Sequence, residues 1–494
     1  MLPSWGLIGH TQRGKLDSRK ILLGKTSKSL DIQIETSMFN RHGLIAGATG
    51  TGKTVTLQRI IDELSKNGVP VFTADIKGDL AGICMPGGGN PKVEGRVTEL
   101  ELSSFSYSGN PTIFWDLSGK AGLPLRTTLS EVGPTIMAQM LGLNATQSGA
   151  LQALFRAADD DGLLLLDLKD MKALITWAGE NLTRLSNLHG LITRQTLAVI
   201  QREVINLEEL GGGDFFGEPA FSVSHLLQRD FSGRGVVSIL DATQVVNRPR
   251  IYCAFLMWLL SELFEVLPEQ GDAPLPKLVF FFDEAHLLFR DADRELLEKV
   301  ERLVKLIRSK GVGVFFITQN PGDIPATISA QLGHRIQHAL RAYSEQERKA
   351  LRSISQSLRA NPEIDTAHVL ENLAIGEALV SVLDGSGIPT PVQITKIAPP
   401  SSRLGPVSAE ERAQVIGACP LSTVYTKPVD RESAFEILKK RASTFREKEG
   451  IKTRTSREPQ GIFEAFIKST ARTIGSQVGR QIVRGIFGSI FRQR

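Results

Sequence analysis

The sequence predicts an α/β protein built on a mostly parallel sheet. Three observations carry that expectation. Residues 43–74 read as strand, glycine-rich loop, helix and strand, which is the parallel crossover unit. Two apolar runs, Leu278–Phe282 and Val312–Thr318, flank a charged amphipathic stretch at Glu295–Lys310 and read as strands buried on both faces. The 494 residues are 41% hydrophobic and 22% charged, ordinary for a globular chain and enough for a large core.

Taken in order, Ile21–Leu23 and Asp31–Ile34 have the pattern of short strands. Gly43–Ala46 is an apolar strand running into the glycine loop. Val55–Asn67 has the periodicity of an amphipathic helix closed by Gly68, and Val69–Ala74 is the second strand. Residues 84–96 are rich in Gly and Pro and read as a loop. Val97–Leu102 and Thr112–Trp115 read as short strands. From Thr128 to about Leu227 the spacing is helical, which suggests an insertion within the α/β core. Gly235–Leu240, Leu278–Phe282, Val312–Thr318 and His334–Ala339 then read as strands, with an apolar helix at Ile251–Val266. Glu377–Leu383 and Val392–Ile397 suit a hairpin around Asp384–Pro391. Pro399–Pro400 and the Ser, Gly and Pro after them read as a linker. Ser433–Lys448 is a charged helix, and an amphipathic segment runs from Ile462 to Phe491. The expected organisation is 1–127 and 231–398 as two parts of one core, 128–230 as helical insertion, 399–460 as linker and helix, and 461–494 as tail.

Cys84, Cys253 and Cys419 lack metal or disulfide spacing, so reduced thiols are expected. No apolar leader and no run of about 20 apolar residues is visible, which makes a cytoplasmic location the expectation. The formal charge of +5 is uneven: residues 431–494 hold 15 Lys and Arg against 6 Asp and Glu, a surplus of nine, so the rest of the chain is acidic. The basic character belongs to the tail.

The strongest motif is Gly47-Ala48-Thr49-Gly50-Thr51-Gly52-Lys53-Thr54, a full G-x-x-x-x-G-K-[ST] phosphate loop between a strand and a helix. Glycines let backbone N–H groups turn toward phosphate oxygens. The helix start adds its dipole. Lys53 can reach the β- and γ-phosphates, and the Thr54 hydroxyl can ligate Mg²⁺. The expected contact set runs from Gly47 to Val55, with ATP and Mg²⁺ as the bound groups.

A second acidic site lies at the end of Leu278–Phe282, where Asp283 can hold Mg²⁺ and Glu284 can polarise the attacking water. Neighbouring strand residues point to opposite faces. Both carboxylates can serve one site only if the strand ends near Asp283 and the chain turns. His286 is either a nucleotide sensor or an interior histidine. The strand Val312–Thr318 ends in Gln319-Asn320. Gln319 can touch the γ-phosphate or order the water, since open α/β sheets bind ligands at strand carboxyl ends; the alternative is a polar turn into Pro321.

Together these residues resemble the HerA/FtsK superfamily of P-loop motor ATPases, and within it the bacterial YjgR-type HerA-like ATP-binding proteins. The resemblance rests on Arg41–Thr54, Ala74-Asp75-Ile76-Lys77-Gly78-Asp79-Leu80, Phe280–His286 and Arg308–Pro321. It implies a RecA-like core over about residues 20–398 and a homo-oligomer, usually a hexameric ring, with ATP between subunits. It implies that Arg308 completes a neighbour's site as an arginine finger; a solvated helix end is the alternative. Arg341 matches a second arginine acting within its own subunit, with Arg335 a weaker match. Asp75 and Asp79 fall near the site. Only 46 residues precede Gly47, too few for the β-barrel domain that HerA helicases carry there. No winged-helix module of the FtsK kind is visible after the core.

The tail has apolar residues at helical spacing with basic residues between them. It can pack on the ATPase, bind nucleic-acid phosphate or lie on an anionic membrane surface. The function expected is an ATP-driven motor, helicase or translocase on DNA. A nucleotide-dependent assembly factor with a protein partner and a membrane-peripheral ATPase are the rivals.

Overall fold

The computed structural model describes residues 19–190, 192–243, 249–271, 273–289, 294–341 and 345–452. The basic segment 461–494 lies outside these residues. Among the described residues twelve strands form one sheet: β1 (Lys20–Lys25), β2 (Asp31–Glu35), β3 (Gly43–Ala46), β4 (Val71–Asp75), β5 (Thr112–Asp116), β6 (Leu123–Pro124), β7 (Val237–Asp241), β8 (Leu278–Phe282), β9 (Val312–Thr318), β10 (His334–His338), β11 (Glu377–Ser381) and β12 (Gln393–Ile397). Their order is β2-β1-β12-β11-β10-β3-β9-β8-β4-β7-β5-β6. From β10 to β6 every pairing is parallel. From β10 to β2 every pairing is antiparallel, so β1, with β2 beside it, closes on β12.

The parallel strands are apolar because both faces are covered. Alternate residues divide between two cores. Phe280, Phe282, Val314 and Phe316 face one, while Val279, Phe281, Phe315 and Ile317 face the other. Helix α1 (Lys53–Lys66) covers the second face with Leu57, Ile60, Ile61 and Leu64. Helix α2 (Pro91–Glu99) follows β4 in the chain. It takes the end of the loop expected at 84–96 and, with the turn after it, the place of the strand expected at Val97–Leu102. The side chain of Asn90 caps it and Pro91 takes its first turn, two start signals that outweigh the Gly-rich approach.

Between β6 and β7, where the sequence suggests an insertion, come α3 (Leu129–Met140), α4 (Ala145–Asp160), α5 (Leu168–Glu180), α6 (Leu182–His189) and α7 (Arg194–Glu209). Reciprocal capping boxes at Thr128, Asn144 and Asp167 start α3, α4 and α5. These helices share the first core with α8 (Pro249–Val266), α9 (His286–Phe289), α10 (Arg294–Ile307) and the turn α11 (Ala326–Ser329). Helices α12 (Glu345–Ser357) and α13 (Thr366–Asn372) make a small separate core with β11.

Residues 399–408, which read as a linker, are anchored. Ser401 and Ser402 are fully buried on α1, where both backbone N–H groups bond the Asp62 carboxylate at 2.7 and 3.0 Å. The chain continues through α14 (Ala409–Ala418) and α15 (Ser422–Tyr425) to α16 (Ala434–Lys452), which packs on α5. Proline and serine composition marks irregular backbone but does not say whether that backbone is free.

Candidate active site

The parallel register brings the carboxyl ends of β3, β9, β8 and β4 to one edge, in that order. Each delivers one part of the site. The phosphate loop leaves β3 with Gly47 at φ 153°, Gly50 at φ 77° and Gly52 at φ 117°, all conformations that side chains resist. A Cβ on Gly47 would also stand 2.5 Å from that of His338, the last residue of β10. The loop is pinned from that side, since its Ala48 N–H bonds Ala339 carbonyl at 2.9 Å. His338 is buried and held neutral, with burial pushing it down to about 4. Its Nδ1 meets the Glu377 carbonyl at 2.9 Å, so Nδ1 carries the proton and Nε2 accepts from Thr56 at 2.8 Å.

Lys53 is folded onto its own loop. Its ammonium donates to the carbonyls of Gly47 at 2.6 Å and Ala48 at 3.0 Å. Burial and the nearby Lys77 lower its pKa, against the pull of Glu284 and Asp283. These carbonyl contacts are ones a phosphate can replace.

Strand β8 ends at Phe282, and Glu284 adopts φ 47°. A left-handed glutamate costs roughly 1–2 kcal/mol, and it is the turn that lets adjacent carboxylates serve one site. Asp283 is buried and its carboxyl is pushed up to about 6 by desolvation, with Lys77 opposing. Among the described residues its side chain accepts one hydrogen bond, from the Glu284 N–H at 2.9 Å.

Glu284 is the hub of a charged chain. Its carboxylate pairs with Lys77 Nζ at 2.5 Å and lies 3.2 Å from His286 Nδ1. Gln319 Nε2 donates to its two oxygens at 3.1 and 3.3 Å. The Gln319 amide oxygen in turn accepts from Thr49 of the phosphate loop at 3.1 Å. Hydrogen bonds and the charge of Lys77 outweigh burial and hold Glu284 below its usual range. Gln319 thus bridges the phosphate loop and the acidic pair because β9 lies between β3 and β8.

Asp75 is turned to another use. Its oxygens accept the N–H groups of Gly78 at 2.7 Å and Leu80 at 3.0 Å, which shapes the loop presenting Lys77. Asp79 lies within the electrostatic reach of Lys77 and Asp283. Sequence reasoning missed Lys77; the signal available was its place between Asp75 and Asp79.

The arginines divide by edge. Arg341 is exposed and lies two residues beyond Ala339, which anchors the phosphate loop of the same chain. Arg308 is exposed at the opposite edge, before the seven-residue β9, roughly 20 Å from Gln319 by strand rise. Arg335 is committed to the Ser329 carbonyl at 2.9 Å, a structural role.

The donor set suits Mg²⁺. Thr54 and Asp283 offer hard oxygens, and a desolvated carboxylate with one hydrogen bond is stabilised by a cation. Among the described residues no group of three or more His, Cys, Asp and Glu could hold a metal ion.

The parallel sheet, the phosphate loop and the acidic strand end define a P-loop ATPase with a RecA-like core. Its family follows from comparison: the profile of the Helicase HerA-like C-terminal family matches residues 20–461, and the chain belongs to that family. Among solved structures, the bacterial conjugative coupling protein TrwB in its unbound form aligns with a TM-score of 0.51 at 15% identity, covering 77% of this chain and 90% of that one. TrwB bound to the ATP analogue ADPNP aligns with a TM-score of 0.51 at 15% identity, over 78% and 96%. TrwB with ADP and Mg²⁺ aligns with a TM-score of 0.50 at 14% identity, over 80% and 100%. These likenesses concern the fold. No curated protein sequence matches the chain significantly. Among the described residues no helix is long and apolar enough to cross a membrane.

Proposed function

We propose that this chain is an ATP-hydrolysing motor of the HerA/FtsK type that works on DNA as a ring, usually hexameric. The observation that carries the reading is the split of the machinery between the two sheet edges. Lys53, Asp283, Glu284 and Gln319 converge at one edge. Arg308 stands at the other, too far to reach the phosphates of its own subunit. A second copy placing Arg308 at its neighbour's loop makes a complete site. The relatives of this fold include TrwB, solved with an ATP analogue and with ADP and Mg²⁺.

In this reading the backbone N–H groups of Gly47–Val55 hold the phosphates, and Lys53 exchanges its two loop carbonyls for phosphate oxygens. Thr54 and Asp283 would hold Mg²⁺, which supplies charge neutralisation at those oxygens when bound. Gln319 orients a water against Glu284. Glu284 takes the water's proton as its oxygen bonds the γ-phosphorus, and the bond to the β–γ bridging oxygen breaks with its electron pair leaving on ADP. Arg308 from the neighbour and Arg341 from the same subunit stabilise the transition-state charge.

Steady-state ATP hydrolysis with and without double-stranded, single-stranded and forked DNA tests the reading, with Glu284→Gln as blank. Stimulation by DNA that vanishes in the blank is the expected result. Turnover indifferent to DNA would overturn the motor and leave an assembly or membrane-peripheral ATPase. Arg308→Ala should bind ATP and lose about 1000-fold in turnover. Mixing it with Lys53→Ala protein should restore activity in shared sites; mixed rings that gain nothing would remove Arg308 from its role in trans.

A further inference from the structure

We propose that Lys77 is a positioning residue that latches Glu284 until a γ-phosphate arrives, so that the general base is released only when ATP is bound. The inference rests on Glu284 being that base.

Lys77 sits on a loop whose backbone is fixed by Asp75, yet its own side chain is 39% exposed and able to move. Glu284, by contrast, is 7% exposed and cannot turn to solvent. With Lys77 at 2.5 Å, Gln319 at 3.1 and 3.3 Å and His286 at 3.2 Å, the carboxylate is ringed by donors. Lys77 and Gln319 on one oxygen and Gln319 and His286 on the other fill the carboxylate's lone-pair sites and leave little room for a water. The chain from Lys77 through Glu284 and Gln319 to Thr49 ties this closed state to the phosphate loop itself.

Lys77 is also placed to respond to the ligand. It lies within the field of Lys53, whose ammonium sits on the loop carbonyls, and of Asp283 and Asp79. A γ-phosphate drawn to Lys53 therefore comes within electrostatic reach of Lys77, carrying more charge than Glu284. The ammonium can trade one carboxylate for three phosphate oxygens. ADP lacks those oxygens and leaves the latch closed. A ligand shifts such an equilibrium only by its differential affinity for the two states, so the latch must appear as a preference between nucleotides.

The test is the affinity of the full chain, with Mg²⁺, for a non-hydrolysable ATP analogue and for ADP. Lys77→Gln should weaken the analogue about 10-fold and leave ADP unchanged, and Lys77→Arg should restore the preference. Glu284→Gln frees Lys77 and should tighten the analogue about 10-fold. In the double variant that gain should disappear. A gain that persists in the Lys77→Gln background, or equal loss of ADP and analogue binding, overturns the latch. Failure of the underlying reading looks different: Glu284→Gln would then keep its turnover whatever the affinities do.

Discussion

Asp62 and Asp283 are both buried aspartates, and burial raises the pKa of each. Asp62, on α1, accepts four hydrogen bonds: from the N–H groups of Ser401 and Ser402, the Ser402 hydroxyl at 2.8 Å and the Asn110 amide at 2.6 Å. Asp283, at the end of β8, accepts one among the described residues. The first is a finished structural joint that ties the chain after β12 to the phosphate-loop helix. The second is unfinished and gains from a cation. Between these two aspartates it is donor count, not burial or residue type, that differs, and it marks Asp283 as the one we propose to hold a cation.

Substitution at each site should break in a different place. Asp283→Asn keeps the shape and removes the charge. Turnover with Mg²⁺ should fall about 1000-fold, ~4 kcal/mol of transition-state stabilisation, as metal assistance is lost. Its urea midpoint should hold or rise, because a desolvated charge is gone. A large drop in midpoint would show that Asp283 is structural and erase the contrast with Asp62.

Asp62→Ala leaves Ser401, Ser402 and Asn110 with buried donors and no acceptor. It should cost about 3 kcal/mol of unfolding free energy, read by urea titration. ATP affinity of the folded fraction should stay within about twofold if the joint is only structural. A selective loss of nucleotide binding at unchanged stability would mean that the segment after β12 acts on the phosphate loop through α1.

The same contrast explains what the sequence disclosed. The strands were legible from Gly43–Ala46 to Val312–Thr318 because burial on both faces leaves apolar runs that little else produces. The phosphate loop and the Asp283–Glu284 pair were legible because phosphate and metal chemistry admit few residue types at fixed spacing. The joints were not. Asp62 meets Ser401 and Ser402 across more than 330 residues, and a serine gives no sign of its partner. Lys77 reads as one more lysine in a polar loop until β4 and β8 pair and bring it to Glu284. Helix α2 was hidden differently: Asn90-Pro91 is a start signal, but it follows three glycines that read as loop.

The smallest effect is expected farther along the same C-terminal path. Tyr425 of α15 places its ring 5.4 Å from Trp115 and 6.3 Å from Phe221, so it closes the first core where the arm reaches the insertion. Its hydroxyl accepts the Ser222 N–H at 3.1 Å and meets His225 Nδ1 at 2.7 Å, where burial keeps the imidazole's pKa low. Tyr425→Phe preserves the ring packing and strands one backbone donor. It should cost ~1 kcal/mol in urea unfolding, without change in turnover. Tyr425→Ala would add the loss of aromatic packing and should cost several-fold more than Tyr425→Phe. If the two variants cost the same, the anchor is the hydroxyl alone and the arm is held at its polar contacts, as at Asp62. If they differ as expected, the arm is pinned by polar bonds at the phosphate-loop helix and by apolar packing around Trp115 and Phe221, so small changes in side-chain volume should be felt at the second end and not at the first.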